Sequence, residues 1–299
     1  MSSTIKRVIA VTSCKGGVGK STVSMGLARA LAARGHRVGL FDADMHGPSL
    51  PSQLPAGVSA RGVAPAADGW SVAPLVHDGV ACMSYGWIGR LAGAADDEDL
   101  DTRGAGTAGE LAIQLLHTTA WGDLDYLVLD TPPGTGEVPR ALAARGQLGG
   151  AVVVTTPSAL AIADVVRGAA LLAKFGVPVL GVVENMASFR CGGCGETHHP
   201  FGTTGLDAVL DAVGGDAPAF TLPIVAAGGD AAPLAPALDA LVDALAAAPR
   251  QKPAAVFPRL AWHERPYWPD KMYFAAREKE KMLRKDVDFK ITPPKLFQR

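Results

Sequence analysis

A three-layer α/β fold, with a mostly parallel central sheet covered by helices on both faces, is what three features of this 299-residue sequence predict. Short Val/Ile/Leu-rich runs alternate with Ala/Leu-rich runs of helical length. The apolar runs are nearly continuous rather than alternating, as strands buried on both faces require. Two of them end in aspartate, and strand ends are where open α/β sheets place their ligand chemistry.

The elements follow in order. RVIAVTS (7–13) reads as the first strand, and Ser21–Arg34 as a helix stopped by Gly35. RVGLFDAD (37–44) is a second strand and DYLVLD (125–130) another. AVVVTTP (151–157) and PVLGVVEN (178–185) come next, separated by a helix near Leu160–Phe175. A shorter unit, Gly205–Val213 and then AFTLPI, leads to a last helix near Leu234–Ala248. No internal repeat is visible. These runs place one α/β domain over residues 1–250.

The segment 251–299 differs in composition. From Pro253 onward, 11 Lys/Arg face 6 Asp/Glu, whereas residues 1–252 hold 17 against 23. The prolines in ERPYWPDK and ITPPK argue against an independent domain, so this basic, aromatic tail is expected to drape over its own domain.

Composition narrows the class. Hydrophobic residues make up 48% and charged residues 19%, enough for a sizeable core. A formal charge of −1 supplies no overall basic field, so neither nucleic acid nor a membrane is expected as a partner. No apolar run approaches the roughly 20 residues that span a bilayer. MSSTIKR leads straight into Val8–Val11 without a signal-peptide core or an Arg/Ser-rich transit segment. The expectation is a cytoplasmic protein, with a plastid or mitochondrial home the alternative where a transit peptide has been removed.

SCKGGVGKST (13–22) follows a strand directly and opens a helix. In that context backbone N–H groups and the helix N-terminus attract anions together, which makes the string a phosphate loop. Gly16, Gly17 and Gly19 let the backbone curl around phosphate oxygens without a clashing Cβ. Val18 and Thr22 complete the nucleotide-binding stretch. Lys20 is positioned to reach the β/γ-phosphates, and the Ser21 hydroxyl to ligate Mg2+. Cys14 stands where the general pattern has glycine and reads as a small side chain behind the loop. Cys82, in GVACMSYG, reads as core.

FRCGGCGETHHPFG (189–202) carries the other chemistry. Its C-x-x-C, Cys191 and Cys194, accepts a zinc ion, a redox disulfide or an iron–sulfur cluster, and the local sequence does not choose. Zinc would take both thiolates with His198 or His199. A thioredoxin-like role fits poorly, because the motif lies in a Gly-rich loop without a helix start. The histidines read as loop-stabilising groups rather than ligands.

The early lysine, Lys15, makes K-G-G-x-G-K-S resemble the deviant P-loop of the family that contains septum-site ATPases, partition ATPases, the nitrogenase iron protein and iron–sulfur cluster carriers. There the early lysine reaches the nucleotide of the other subunit, so the resemblance implies a nucleotide-sandwich homodimer and catalytic roles for Lys15 and Lys20. It implies further that Asp44 orients the attacking water and that Asp42 holds the Mg2+ water shell. Asp130 becomes an outer Mg2+ carboxylate, and the Gly134 amide senses the γ-phosphate. Asn185 matches the family's adenine-reading asparagine, whose amide can pair with N6 and a ring nitrogen, favouring ATP.

DADMHGPSLP, WGDLDYLVLDTPPGTGE, VVVTTP and VPVLGVVENM…CGGCGETHHPFG resemble, in that order, the Mrp/Nbp35-type iron–sulfur cluster carriers. The likeness covers most of residues 7–245, with wording nearest the plastid branch. It differs from the family in having Gly192 after the first cysteine, where proline is usual, and TRGA (102–105) in place of W-R-G-P. The loop after LPI is shorter than usual.

What the resemblance implies is an ATP-dependent scaffold, slow in hydrolysis, that carries a 4Fe-4S cluster to apo iron–sulfur proteins. A 4Fe-4S cluster takes four thiolates, and one chain offers one close pair, so the implied homodimer would hold the cluster at its interface. The rival expectation is a spatial-organisation ATPase with a structural zinc on the C-x-x-C. That rival needs an amphipathic membrane helix or a basic DNA-binding face. REKEKMLRKDVDF is too mixed in charge for the first, and the acidic balance of residues 1–252 opposes the second.

Overall fold

The computed structural model describes residues 4–67, 71–91, 107–203, 205–225 and 232–249. The tail from 251, the TRGA segment and the stretch 226–231 after the LPI strand lie outside the described residues.

The first half of the chain forms β1 (Val8–Thr12), α1 (Lys20–Ala33), β2 (Val38–Asp42), the short α2 (Leu50–Gln53) and α3 (Ala56–Ser59). It continues with β3 (Ala64–Pro65), β4 (Val72–Ala73), β5 (Leu75–His77), β6 (Val80–Ser84), α4 (Tyr85–Leu91) and α5 (Ala108–Thr118). The second half adds β7 (Tyr126–Asp130), α6 (Glu137–Arg145), β8 (Gly150–Thr155), α7 (Ala159–Lys174) and β9 (Val179–Arg190). The last described elements are β10 (Thr197–His198), α8 (Leu206–Val213), β11 (Ala219–Pro223) and α9 (Ala235–Ala247).

Nine of these strands make one sheet in the order β10-β9-β8-β1-β7-β2-β6-β5, with β11 also paired to β9. Six of the pairings are parallel, and only the terminal strands β5 and β10 join antiparallel. Burial explains the apolar runs: Ile9, Leu127, Leu129 and Val152 are all fully enclosed. Right-handed crossovers put α1 on one face and α5, α6, α7 and α8 on the other. The contacts agree, since α1 packs against β2, β7 and α9, while α5 meets α6 and α7 meets α8. The expected layered α/β architecture is therefore the one observed.

The order in which the chain adds strands reverses around β1, although the strands themselves stay parallel. The chain leaves β1 for β2 on one side and later runs from β7 to β8 on the other. This is a topological switch point, and its crevice opens at the C-terminal strand ends. Register brings the chemistry there: Asp42 pairs with Asp130, and Thr155 with Glu184.

Two features go beyond the sequence expectation. β9 does not stop at Asn185 but continues to Arg190. The polar residues of ENMASFR interrupt the apolar run, yet Ser188 pairs with Pro223, and Phe189 and Arg190 pair with β10. A register shift lies between Thr221 and Pro223, opposite the stretch where Met186 adopts a φ of 58°. The other feature is α5, entered through a reciprocal capping box between Thr107 and Glu110. No helix among the described residues is long and apolar enough to cross a membrane.

Candidate functional site

The phosphate loop lies between β1 and α1, and its curl is visible in the backbone. Gly17 and Gly19 have φ of 77° and 82°, in the left-handed region. Gly19 has a second reason to be glycine, because a Cβ there would stand 2.1 Å from Asn185 Nδ2. That amide donates to the Val18 carbonyl at 2.8 Å, so β9 clamps the loop from the side. The Ser13 hydroxyl donates to the Lys15 carbonyl at 2.9 Å and steadies the loop entrance. Val18 is buried, Lys15 and Ser21 are half-buried, and Gly16 and Thr22 are exposed. Cys14 sits behind the loop, with its sulfur 2.0 Å from where a Cβ on Gly168 would stand. Burial pushes the Cys14 thiol up. Burial likewise pushes the Cys82 thiol to about 12, as expected of a core cysteine.

The strand-end carboxylates are held firmly. Lys20 Nζ bonds Asp130 Oδ1 at 2.9 Å, with side chains only 8% and 4% exposed. Ser24, one turn along α1 on the same side, donates to that oxygen at 3.1 Å. Its spacing of four residues from Lys20 is the signal that places it on this face. Asp130 thus holds the phosphate-loop lysine in place. Asp42 is wholly buried and accepts four hydrogen bonds: from the Asp44, Ser49 and Leu50 amides and the Ser84 hydroxyl, at 2.9–3.1 Å. It organises the loop that carries Asp44. Burial, with the nearby Asp130 charge adding to it, raises the Asp42 carboxyl to about 6 against the pull of these donors. Asp44 is half-buried and accepts from the Gly47 amide at 3.0 Å. The Gly134 amide donates to the Ser13 carbonyl at 2.9 Å, which joins the loop after β7 to the phosphate loop.

The structure thus brings Lys20, Asp42, Asp44, Asp130, Gly134 and Asn185 around one loop. The geometry offers a nucleotide a glycine cradle, a buried lysine and the Ser21 hydroxyl at a helix start, so the donor set fits Mg2+ and nucleotide phosphates.

The second site is a hairpin at the end of β9. The Cys191 amide donates to the Glu196 carbonyl and the Gly195 amide to the Cys191 carbonyl, at 2.8 and 2.9 Å. Gly195, at a φ of 75°, turns the chain toward β10. The amides of Cys194 and then Gly193 point at the Cys191 sulfur and hold its thiol below the ordinary value. That favours the thiolate, the form that ligates metal. Cys191, Cys194 and His198 offer ligand atoms all within 4.8 Å of one another. The expectation that both histidines stabilise the loop is met by His199, whose Nδ1 lies 2.8 Å from the Ala187 carbonyl. His198 instead lies beside the two thiols. Exposed Phe189 and Phe201 flank this loop in sequence.

Residues 4–225 match the NUBPL iron-transfer P-loop NTPases, within the ParA group. The iron-sulfur cluster carrier protein of Escherichia coli is 44% identical over 207 residues, which is 69% of this chain and 54% of that protein. The chloroplastic Fe-S cluster assembly factor HCF101 of Arabidopsis thaliana is 44% identical over 200 residues, 67% of this chain and 35% of that protein. Among solved structures, a nucleotide-binding protein of Archaeoglobus fulgidus in complex with ADP superposes with a TM-score of 0.60. It is 33% identical and covers 82% of this chain and 90% of its own. This chain spans about half the length of the bacterial carrier and about a third of the chloroplast factor.

The clamp on the phosphate loop has a measurable consequence. Gly19→Ala is expected to destabilise the fold by about 1–3 kcal/mol, through backbone strain and the Asn185 clash. In denaturant unfolding, Asn185→Ala should recover part of that loss, giving a coupling of about 0.5–3 kcal/mol in a double-mutant cycle. Strict additivity would contradict the clamp.

Asp42 sets a pH dependence. Its folded pKa lies above the ordinary 3.8, so the folded state binds the proton more tightly. Stability is then greatest below about pH 4 and falls as pH rises to about 6, by a total on the order of 3 kcal/mol from this group. Asp42→Asn cannot ionise and should flatten that window, whatever its overall stability. Unfolding free energies with the same slope in both proteins would show that Asp42 is not the cause.

Proposed function

Because the chain belongs to the NUBPL iron-transfer family of P-loop NTPases, we propose that it is an ATP-dependent iron–sulfur carrier. Two chains hold a 4Fe-4S cluster between them and pass it to apo iron–sulfur proteins. The observation that carries this reading is the continuity of β9, which grips the phosphate loop through Asn185 and runs directly into Cys191.

The cluster is cargo. Cys191 and Cys194 supply two thiolates, and a second copy supplies the other two that a 4Fe-4S cluster takes. The copy is brought alongside by Lys15 of each chain reaching the other's nucleotide. Cys194 is exposed and Cys191 half-buried on a hairpin, within reach of a recipient's thiolates. The rival reading as a spatial-organisation ATPase gives this pair no such use.

Mg2+·ATP, when bound, would supply a phosphoanhydride bond for hydrolysis. The amides of 16–22 and Lys20 would hold its phosphates, Ser21 would ligate the metal, and Asp44 would orient the water. Asp42 fixes the Asp44 loop by accepting its amides. Asp130 keeps Lys20 aimed, and Asn185, beside the loop, would meet the base.

Anaerobic reconstitution with iron and sulfide, read by absorption, EPR and metal analysis, tests this reading. About four iron per two chains are expected, lost in Cys191→Ser and in Cys194→Ser. An iron chromophore that survives in both variants would sink the assignment. Asp44→Asn should lose ATP turnover and keep its iron. It is preferred to Lys20→Ala, which would leave buried Asp130 without its partner at a cost of about 3–5 kcal/mol.

A further inference from the structure

The two adjacent histidines of the thiol hairpin are sent to different places. His198 lies in β10, opposite Phe189 of β9. Its ring joins Cys191 and Cys194 in a group whose ligand atoms are all within 4.8 Å of one another. His199 is turned back onto the body of the domain, with Nδ1 2.8 Å from the Ala187 carbonyl. Successive residues of an extended chain point to opposite sides, which explains the separation. The sequence motif makes the two equivalent, but the fold does not.

We propose that His198 is a third ligand, so that one chain alone holds a single borderline-soft divalent cation of the Zn2+, Co2+ and Fe2+ class. Cys191 Sγ, Cys194 Sγ and the His198 imidazole would occupy three corners of a tetrahedron, leaving the fourth to solvent, since Cys194 and His198 are exposed and Cys191 half-buried. Two thiolates and an imidazole with an open corner form a known donor set for such ions. Bond lengths of about 2.0–2.3 Å put tetrahedral ligand atoms roughly 3.3–3.8 Å apart, so the observed group needs to close by an ångström or so. The turn can do this. Nothing lies within 4 Å of a Cβ built on Gly192, and only the Cys191 sulfur lies near one on Gly193, at 3.9 Å. Glu196, whose carboxylate lies 3.9 Å from Cys194 Sγ, stands beside the site.

This inference shares its thiol pair with the carrier reading but needs no second chain. The two are therefore separable. A single-ion state on each chain is a way to load metal before two chains meet around a cluster.

The test is titration of the reduced, full-length chain with Co2+ alone, followed by visible absorption and by Zn2+ competition. One Co2+ per chain is expected, with tetrahedral d–d bands, thiolate charge transfer and displacement by Zn2+. His198→Ala should weaken binding at least about tenfold and shift the d–d envelope. His198→Cys should restore tight binding with added charge-transfer intensity. An unchanged spectrum and affinity in His198→Ala, or one Co2+ per two chains in the unaltered protein, would overturn the proposal. Iron–sulfide reconstitution of the same proteins separates the two readings. Normal iron loading beside an unaltered cobalt spectrum in His198→Ala overturns the third ligand alone. Failure of the unaltered protein to take up iron and sulfide, with the cobalt result intact, overturns the carrier alone.

Discussion

The hydrogen bond from the Asn185 amide to the Val18 carbonyl, 2.8 Å long, fixes β9 to the phosphate loop. Most of what joins the two candidate sites passes through that strand. Met186, next along it, faces the same glycine: a Cβ on Gly19 would lie 3.6 Å from its Cε. Five residues later the strand delivers Cys191. At about 3.3 Å per residue, Asn185 and Cys191 are separated by no more than about 20 Å of backbone. Pairing with β8 and β11 holds Glu184 at one end of that segment, and pairing with β11 and β10 holds Ser188, Phe189 and Arg190 toward the other.

The charges at the strand ends obey a second constraint. Lys20, Asp42 and Asp130 are all buried, and burial of a charge is tolerated only with partners. Asp130 takes Lys20 and Ser24, while Asp42 takes three amides and the Ser84 hydroxyl. The two carboxylates are cross-strand neighbours, so the Asp130 charge makes that of Asp42 harder to hold. The arrangement therefore ties the Asp44 loop, the loop after β7 and α1 to one another. A shift in any of them disturbs the hydrogen bonds of the rest.

Local motifs were readable in the sequence, and partnerships across the chain were not. The phosphate loop is set by glycines and a lysine within ten residues, and the apolar strands by burial on both faces. Asp130 and Lys20 lie 110 positions apart, and no spacing rule pairs them. The sequence reading ended β9 at Asn185 because the apolar run ends there. Backbone pairing with β11 and β10, which has no side-chain signature, carries it to Arg190. For α5 a usable signal existed in the Thr107-x-x-Glu110 cap. His198 and His199 are separated only by the direction of a two-residue strand, which the motif does not reveal.

The central claim is that the phosphate loop and the thiol hairpin are mechanically joined through β9. Hydrogen exchange of the full-length chain with and without Mg2+·ATP tests it most directly. The account predicts slower exchange at residues 13–24 and also at 186–199, including the Cys191 and Gly195 amides that close the thiol hairpin. Protection confined to the phosphate loop and residues 42–50, with 186–199 unchanged, would contradict it.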